Sequence, residues 1–304
     1  MDTSRFVVGV DGSLPARAAI RWAIAHARER EAEVILVHVA DDEWGAVGVD
    51  LIDEVDEDAR QLLQNEVEYA HSLDGGRPVS GVLRSGSPMV VLASFSDPEA
   101  MLVVGTHKTG FHYGRAFGSR SLQLANLATG PVAIVPETPS RLRRGVVVGL
   151  DDTVAGSAAL DLAADIACDH HCELVIVRSS HVLEPFRPER DDELADWQLR
   201  RDDAARGLLA TAMERVRRRQ QGITVRARVV RRPPAIALNE IARTAELLVI
   251  GDSRRVQPQP GSLGGVAYDV LLNLSSPTIV VHAPAPRPVH AGAAAEEGEN
   301  HVVG

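Results

Sequence analysis

The feature that most constrains this chain is an internal repeat. Phe6-Val7-Val8-Gly9-Val10-Asp11-Gly12-Ser13 is answered at an offset of 140 residues by Val146-Val147-Val148-Gly149-Leu150-Asp151-Asp152-Thr153. Met101-Leu102-Val103-Val104-Gly105 is answered by Leu247-Leu248-Val249-Ile250-Gly251. Gly130-Pro131-Val132-Ala133-Ile134-Val135 is answered by Ser276-Pro277-Thr278-Ile279-Val280-Val281. Both later pairs are offset by 146. Agreement over three separated apolar runs identifies a duplicated domain, and the six-residue drift places an insertion in the middle of the second copy.

Within each copy, short runs of Val, Ile and Leu alternate with helical patterns, as in a parallel sheet covered by helices on both faces. The expected fold is therefore α/β, with two tandem doubly wound, mostly parallel five-stranded sheets. In the first copy, strands are expected at about 5–10, 34–39, 78–83, up to Gly105, and 131–135. A helix should start near Ser13, whose hydroxyl can cap it, with Ala19, Ile20, Ala23, Ile24 and Ala27 as its apolar stripe. Another should follow Ser87-Pro88. The domains are expected at 1–139 and 144–284, joined by a short proline-containing linker. The Ala/Gly/Glu-rich stretch 285–304 has too few bulky apolar residues to fold and is expected to be a disordered tail.

A length of 304 residues, 45% hydrophobic and 24% charged, supplies two such domains with cores. No apolar run reaches the ~18 residues of a membrane span, and Met1-Asp2-Thr3-Ser4 leads into a strand without a signal-peptide core, so no membrane association and a cytoplasmic location are expected. The net charge of −10 is uneven: residues 1–139 hold 11 Lys+Arg against 20 Asp+Glu, and residues 140–304 hold 21 against 22. An acidic surface repels phosphate backbones, so no nucleic-acid partner is expected; the one basic stretch, Arg215 to Arg232, reads as a solvated helix end and strand flank. Cys168 and Cys172 bracket Asp169-His170-His171. A structural zinc site usually takes four ligands, often in two separated pairs, and Cys168 reads as a small hydrophobe on a helix face, so no metal is expected from this cluster.

In an open parallel sheet, ligands bind beyond the carboxyl ends of the strands, so the loops after Val10, Val39 and Val104 should share one crevice. The loop after the fourth strand runs Gly105-Thr106-His107-Lys108-Thr109-Gly110-Phe111-His112-Tyr113-Gly114-Arg115-Ala116-Phe117-Gly118-Ser119 into an amphipathic helix. Its glycines permit close backbone approach, and free N–H groups at the helix start around Ser119, Arg120 and Ser121 suit an anion such as phosphate. Gly105 to Gly110 has P-loop glycine spacing, but Phe111-His112 stands where Lys-Ser/Thr is required, and no Gly-x-Gly-x-x-Gly follows the first strand. Neither a Walker A nor a dinucleotide site is supported.

These residues resemble the universal stress protein family, specifically its ATP-binding branch, whose motif is Gly-x-x-Gly, nine residues, then Gly-Ser/Thr. Here the pattern is Gly105-x-x-Lys108, nine residues, then Gly118-Ser119, with Lys108 in place of one glycine. The resemblance runs from about residue 4 to about 283 and includes the Val-Gly-Val-Asp-Gly-Ser opening. It implies that Gly9, Val10 and Asp11 line an adenosine pocket, with Asp11 on the ribose or metal side, that Val39 touches adenine, and that Gly105 and His107 form the loop wall, with Val104 and Lys108 also among the binding residues. Gly118, Ser119, Arg120 and Ser121 would receive the phosphates. Lys108, the chain's one lysine, either adds positive charge beside the phosphates or crowds the pocket with its Cβ. The second copy keeps the spacing as Gly251-x-x-Arg254 and Gly264-Gly265 but lacks the serine, so weak binding or none is expected there.

The implied function is a stress-related regulatory module that binds ATP, with or without Mg2+, or another adenine nucleotide, with slow or no hydrolysis and no assigned catalytic residue. A low-turnover ATPase and a structural interaction module with no nucleotide remain as alternatives. The implied partners are the nucleotide, the chain's own second half in a pseudo-dimer joined through strands 131–135 and 277–281, and beyond these a further homodimer or an unidentified protein.

Overall fold

A computed structural model describes residues 3–40, 49–74, 78–106, 110–112, 115–117, 119–137, 143–181, 191–252 and 263–283. The expected tail at 285–304 and most of the linker lie outside them. The first half runs β1 (Arg5–Gly9), α1 (Leu14–Arg30), β2 (Glu33–Ala40), α2 (Val49–Asp74), β3 (Val79–Ser85), α3 (Pro88–Ala93), β4 (Ala100–Thr106), the short strands β5 (Gly110–His112) and β6 (Arg115–Phe117), α4 (Ser119–Leu127) and β7 (Val132–Pro136). The second runs β8 (Val146–Gly149), α5 (Val154–Asp169), β9 (Leu174–Ser179), α6 (Asp191–Arg219), β10 (Val225–Val230), α7 (Pro234–Ala242), β11 (Leu247–Asp252), α8 (Gly265–Leu272) and β12 (Thr278–His282).

Each half is the expected five-stranded parallel sheet, but the two sheets are continuous. The order is β10-β9-β8-β11-β12-β7-β4-β1-β2-β3, one ten-stranded sheet, parallel throughout except where β12 meets β7 antiparallel. The reason lies in the terminal strands. All five residues of β7 and all five of β12 are buried, and an apolar edge left unpaired would expose its N–H and C=O groups. Val132 pairs with Val280, Ala133 with Ile279 and Ile134 with Thr278. The register also locates the insertion. Val34 pairs with Val79 and Leu174 with Val225, so the six extra residues lie between β9 and β10, the connection that carries α6.

Strand side chains alternate between two apolar layers. Phe6, Val8, Leu36, Val103, Ala133, Val148, Ile176, Val249 and Ile279 face one layer, under α1 and α5. Val7, Leu102, Val104, Ile134, Val147, Leu248, Ile250 and Val280 face the other, under α3, α4, α7 and α8. Both layers run across the junction. The stripe Ala19, Ile20, Ala23, Ile24 and Ala27 is buried, and Ser13 caps α1 by accepting from the Ala16 N–H at 3.2 Å. Leu36 is fully buried in the first layer. Leu36→Ala should therefore destabilise the chain by about 2–5 kcal/mol, measurable as a lower denaturant midpoint with an unchanged slope.

The β5–β6 pair is an addition to the expected glycine-rich loop: Gly110 pairs with Phe117, Phe111 with Ala116 and His112 with Arg115. Strands of three residues are too short to carry an alternating pattern. The basic stretch from Arg215 is largely ion-paired. Arg215 binds Asp161 at 2.5 Å, Arg219 binds Asp165 at 2.8 Å, Arg226 binds Glu173 at 2.6 Å and Arg231 binds Asp202 at 2.5 Å. No described helix is long and apolar enough to cross a membrane.

Candidate functional site

The first half has strand order β3-β2-β1-β4-β7, so the connections reverse direction between β1 and β4. A crevice opens at such a point beyond the carboxyl ends of the strands, and here it is a cavity of about 290 Å³. Gly9, Val10 and Asp11 enter it from the end of β1, Val37, His38 and Val39 from β2, and Val104 and Gly105 from β4. Ser13 and Ala16 border it from the start of α1, Pro88, Met89 and Leu92 from α3, and Arg120 and Ser121 from the first turn of α4.

Eight of the twelve residues expected from the sequence line this cavity: Gly9, Val10, Asp11, Val39, Val104, Gly105, Arg120 and Ser121. Ser119 is the first residue of α4. His107, Lys108 and Gly118 lie outside the described residues. Val10, expected as the last strand residue, follows the end of β1 instead, where its N–H still donates to Val37 O at 2.9 Å.

Local hydrogen bonds shape the walls. Asp11 is exposed and its Oδ1 accepts the Ser13 N–H at 3.1 Å, which fixes the turn into α1 and leaves the carboxylate at the cavity mouth. His38 Nδ1 donates to Val10 O at 2.8 Å, tying the end of β1 to β2. Leu92 packs so closely on β1 that a Cβ on Gly9 would stand 2.8 Å from its Cδ1. The approach at Gly105 is closer: a Cβ there would lie 2.0 Å from Pro15 O, so the first turn of α1 rests directly on β4. This contact explains one glycine of the motif by packing. Gly105→Ala should push α1 off β4 and destabilise the chain by about 1–3 kcal/mol, with a lowered melting temperature as the readout.

His38, Met89, Leu92 and Ala16 did not emerge as site residues from the sequence. For Met89 and Leu92 the available signal was Ser87-Pro88, which starts a helix directly after β3 and so places its first turn at the carboxyl end of the sheet.

The second half has a cavity of about 230 Å³ in the matching place, lined by Gly149, Leu150, Asp151, Val177, Arg178, Ser179, Leu238, Ile250 and Gly251 among others. Arg178 takes the role of His38, donating to Leu150 O at 3.1 Å. Two differences alter its chemistry. Asp151 Oδ1 accepts both the N–H and the hydroxyl of Thr153, where Asp11 Oδ1 accepts the N–H of Ser13, so the Asp151 carboxylate is more fully engaged by its own turn. Asp252 stands in β11 where β4 has Thr106, and its Oδ1 accepts the N–H of Gly264, the N-cap of α8, at 2.8 Å. A carboxylate of the protein thus already accepts an N–H at the start of α8, the end of a helix that favours an anion.

Comparison with known proteins agrees with this architecture. The profile of the universal stress protein family matches residues 3–136 and 143–282, nearly all of both repeats. The chain belongs to the universal stress protein family. It is similar to universal stress protein Rv1996 of Mycobacterium tuberculosis, 29% identical over 304 residues that cover 91% of this chain and 95% of that one. Among solved structures it resembles a universal stress protein from Archaeoglobus fulgidus, with a TM-score of 0.69, 18% identity, and coverage of 93% of this chain and 100% of that one. A shorter member of the family, 25% identical and matching 47% of this chain and 99% of its own with a TM-score of 0.37, is described in complex with cAMP.

Proposed function

We propose that this universal stress protein binds one adenine nucleotide, ATP with or without Mg2+, in the cavity of its first half, and acts as a regulatory module with slow or no hydrolysis. The observation that carries the reading is the convergence of Asp11, Val39, Gly105, Arg120 and Ser121 on one cavity at the reversal point between β1 and β4. Its chemistry is divided as a nucleotide requires. Val37, Val39, Met89 and Leu92 offer apolar walls to a base, and Asp11 offers a carboxylate to ribose hydroxyls. Arg120 and the start of α4 offer a cation and helix N–H groups to phosphates. By the family motif Gly118 and Ser119 would complete the phosphate end, and Mg2+ would enter with the nucleotide's own phosphate oxygens.

The test is mass spectrometry of small molecules released from the purified full chain, followed by incubation with added ATP. Recovery of ATP or another adenine nucleotide, with few turnovers afterwards, is the expected result. Repeated turnover to ADP would make the protein an ATPase, and persistent absence of nucleotide with no uptake of added ATP would leave a structural module.

A further inference from the structure

Away from the nucleotide cavity, on the face of the sheet covered by α1 and α5, the two halves meet around a buried histidine. His26 of α1 is only 6% exposed and stacks on Trp22 with ring centroids 3.8 Å apart. Its Nδ1 donates to Trp22 O at 2.9 Å, which leaves the lone pair on Nε2. That atom is buried and has no hydrogen-bond partner. A buried polar atom of this kind ordinarily finds a partner or holds a ligand.

His26 faces two residues of the second half. His170 follows α5 directly, its ring centroid 4.6 Å from that of His26, and its Nδ1 lies 3.1 Å from Glu246 Oε1. One ligand atom from each of His26, His170 and Glu246 falls within 4.8 Å of the others, the single such group of three or more among the described residues. Cys168 and Cys172 stand outside it.

We propose that His26, His170 and Glu246 form a zinc site that links α1 of the first half to the second half. Two ligands held tetrahedrally at the usual zinc distances of about 2.0–2.2 Å lie roughly 3.3 Å apart. His170 and Glu246 already have nearly that spacing, so binding requires His26 to close by about 1.5 Å at most relative to the others. The proton between His170 and Glu246 gives way to the ion by moving to His170 Nε2, and a water fills the fourth position. The hydrogen bond from His26 Nδ1 to a backbone carbonyl is the outer contact that orients a metal-bound imidazole. Glu246, 36% exposed in its side chain, provides the entrance. Two imidazoles and a carboxylate favour zinc over calcium or magnesium, which prefer all-oxygen sets.

The experiment uses the full chain freed of metal by chelation. Co2+ titration should give the visible bands of a tetrahedral complex, saturating at one equivalent and lost on adding Zn2+. Zn2+ affinity should fall at least by the roughly 10–100-fold that loss of even an outer-sphere partner costs in Glu246→Gln and in His170→Gln. It should be unchanged in His71→Ala, which alters an exposed histidine at the end of α2. Glu246→Gln keeps the side-chain shape, and its circular dichroism separates loss of binding from loss of fold. Absence of a one-equivalent tetrahedral complex, or undiminished affinity in the folded Glu246→Gln and His170→Gln variants, would overturn the proposal.

Discussion

Asp11→Ala and Arg120→Ala should each weaken Mg-ATP binding by roughly ten-fold to over a hundred-fold, the equivalent of about 1.5–3 kcal/mol for a hydrogen bond to a charged group. Asp151→Ala should leave it nearly unchanged. The contrast follows from how far each carboxylate is already engaged. Asp11 is exposed at the mouth of the first cavity, whereas Asp151 is held by both the backbone and the hydroxyl of Thr153. At the phosphate end the difference is sharper, because Asp252 already accepts the Gly264 N–H that opens α8. Placing the same carboxylate in the first half, by Thr106→Asp, should abolish binding there through like-charge repulsion of the phosphates. Calorimetry on the four variants decides the matter. Equal losses for Asp11→Ala and Asp151→Ala would mean that both cavities bind.

Separately expressed halves should fail to behave as stable monomers. Each would expose a fully buried terminal strand, β7 or β12, together with the apolar residues it presents to both layers of the core. The antiparallel pairing of β7 with β12 relates the halves by an approximate two-fold axis, so the first half has a ready substitute in a second copy of itself. Light scattering after size exclusion should find dimers or larger species. Urea unfolding should give lower midpoints than the intact chain. Two monomeric halves, each as stable as the whole, would show that the junction contributes little.

Much of the fold was legible because a parallel sheet buried on both faces writes itself as continuous apolar runs, and the duplication writes each run twice. The pairs Phe6/Val146, Leu102/Leu248 and Val132/Thr278 are enough to align the strands of the two halves. The fusion of the two sheets was legible only in part. Short, largely apolar strands at 131–135 and 277–281 demanded a cover, but that the cover is one strand for the other depends on the paired backbones themselves. In the site, residues on strand ends were readable from the rule that ligands sit at carboxyl ends. For Met89 and Leu92, Ser87-Pro88 placed the helix start near the site but not which residues face it, because an apolar helix residue looks the same whether it faces a core or a cavity. The His26, His170 and Glu246 group was invisible in sequence for a simpler reason. Its members are separated by 144 and 76 residues, and the short-range cluster around Cys168 contains only one of them.

Whether the protein is a one-site nucleotide binder turns on the stoichiometry of Mg-ATP binding to the intact chain, measured by isothermal calorimetry at a protein concentration well above the dissociation constant. One nucleotide per chain, lost in Thr106→Asp, is the predicted result. Two equivalent sites, or a single site that survives Thr106→Asp and disappears in Asp151→Ala, would contradict it.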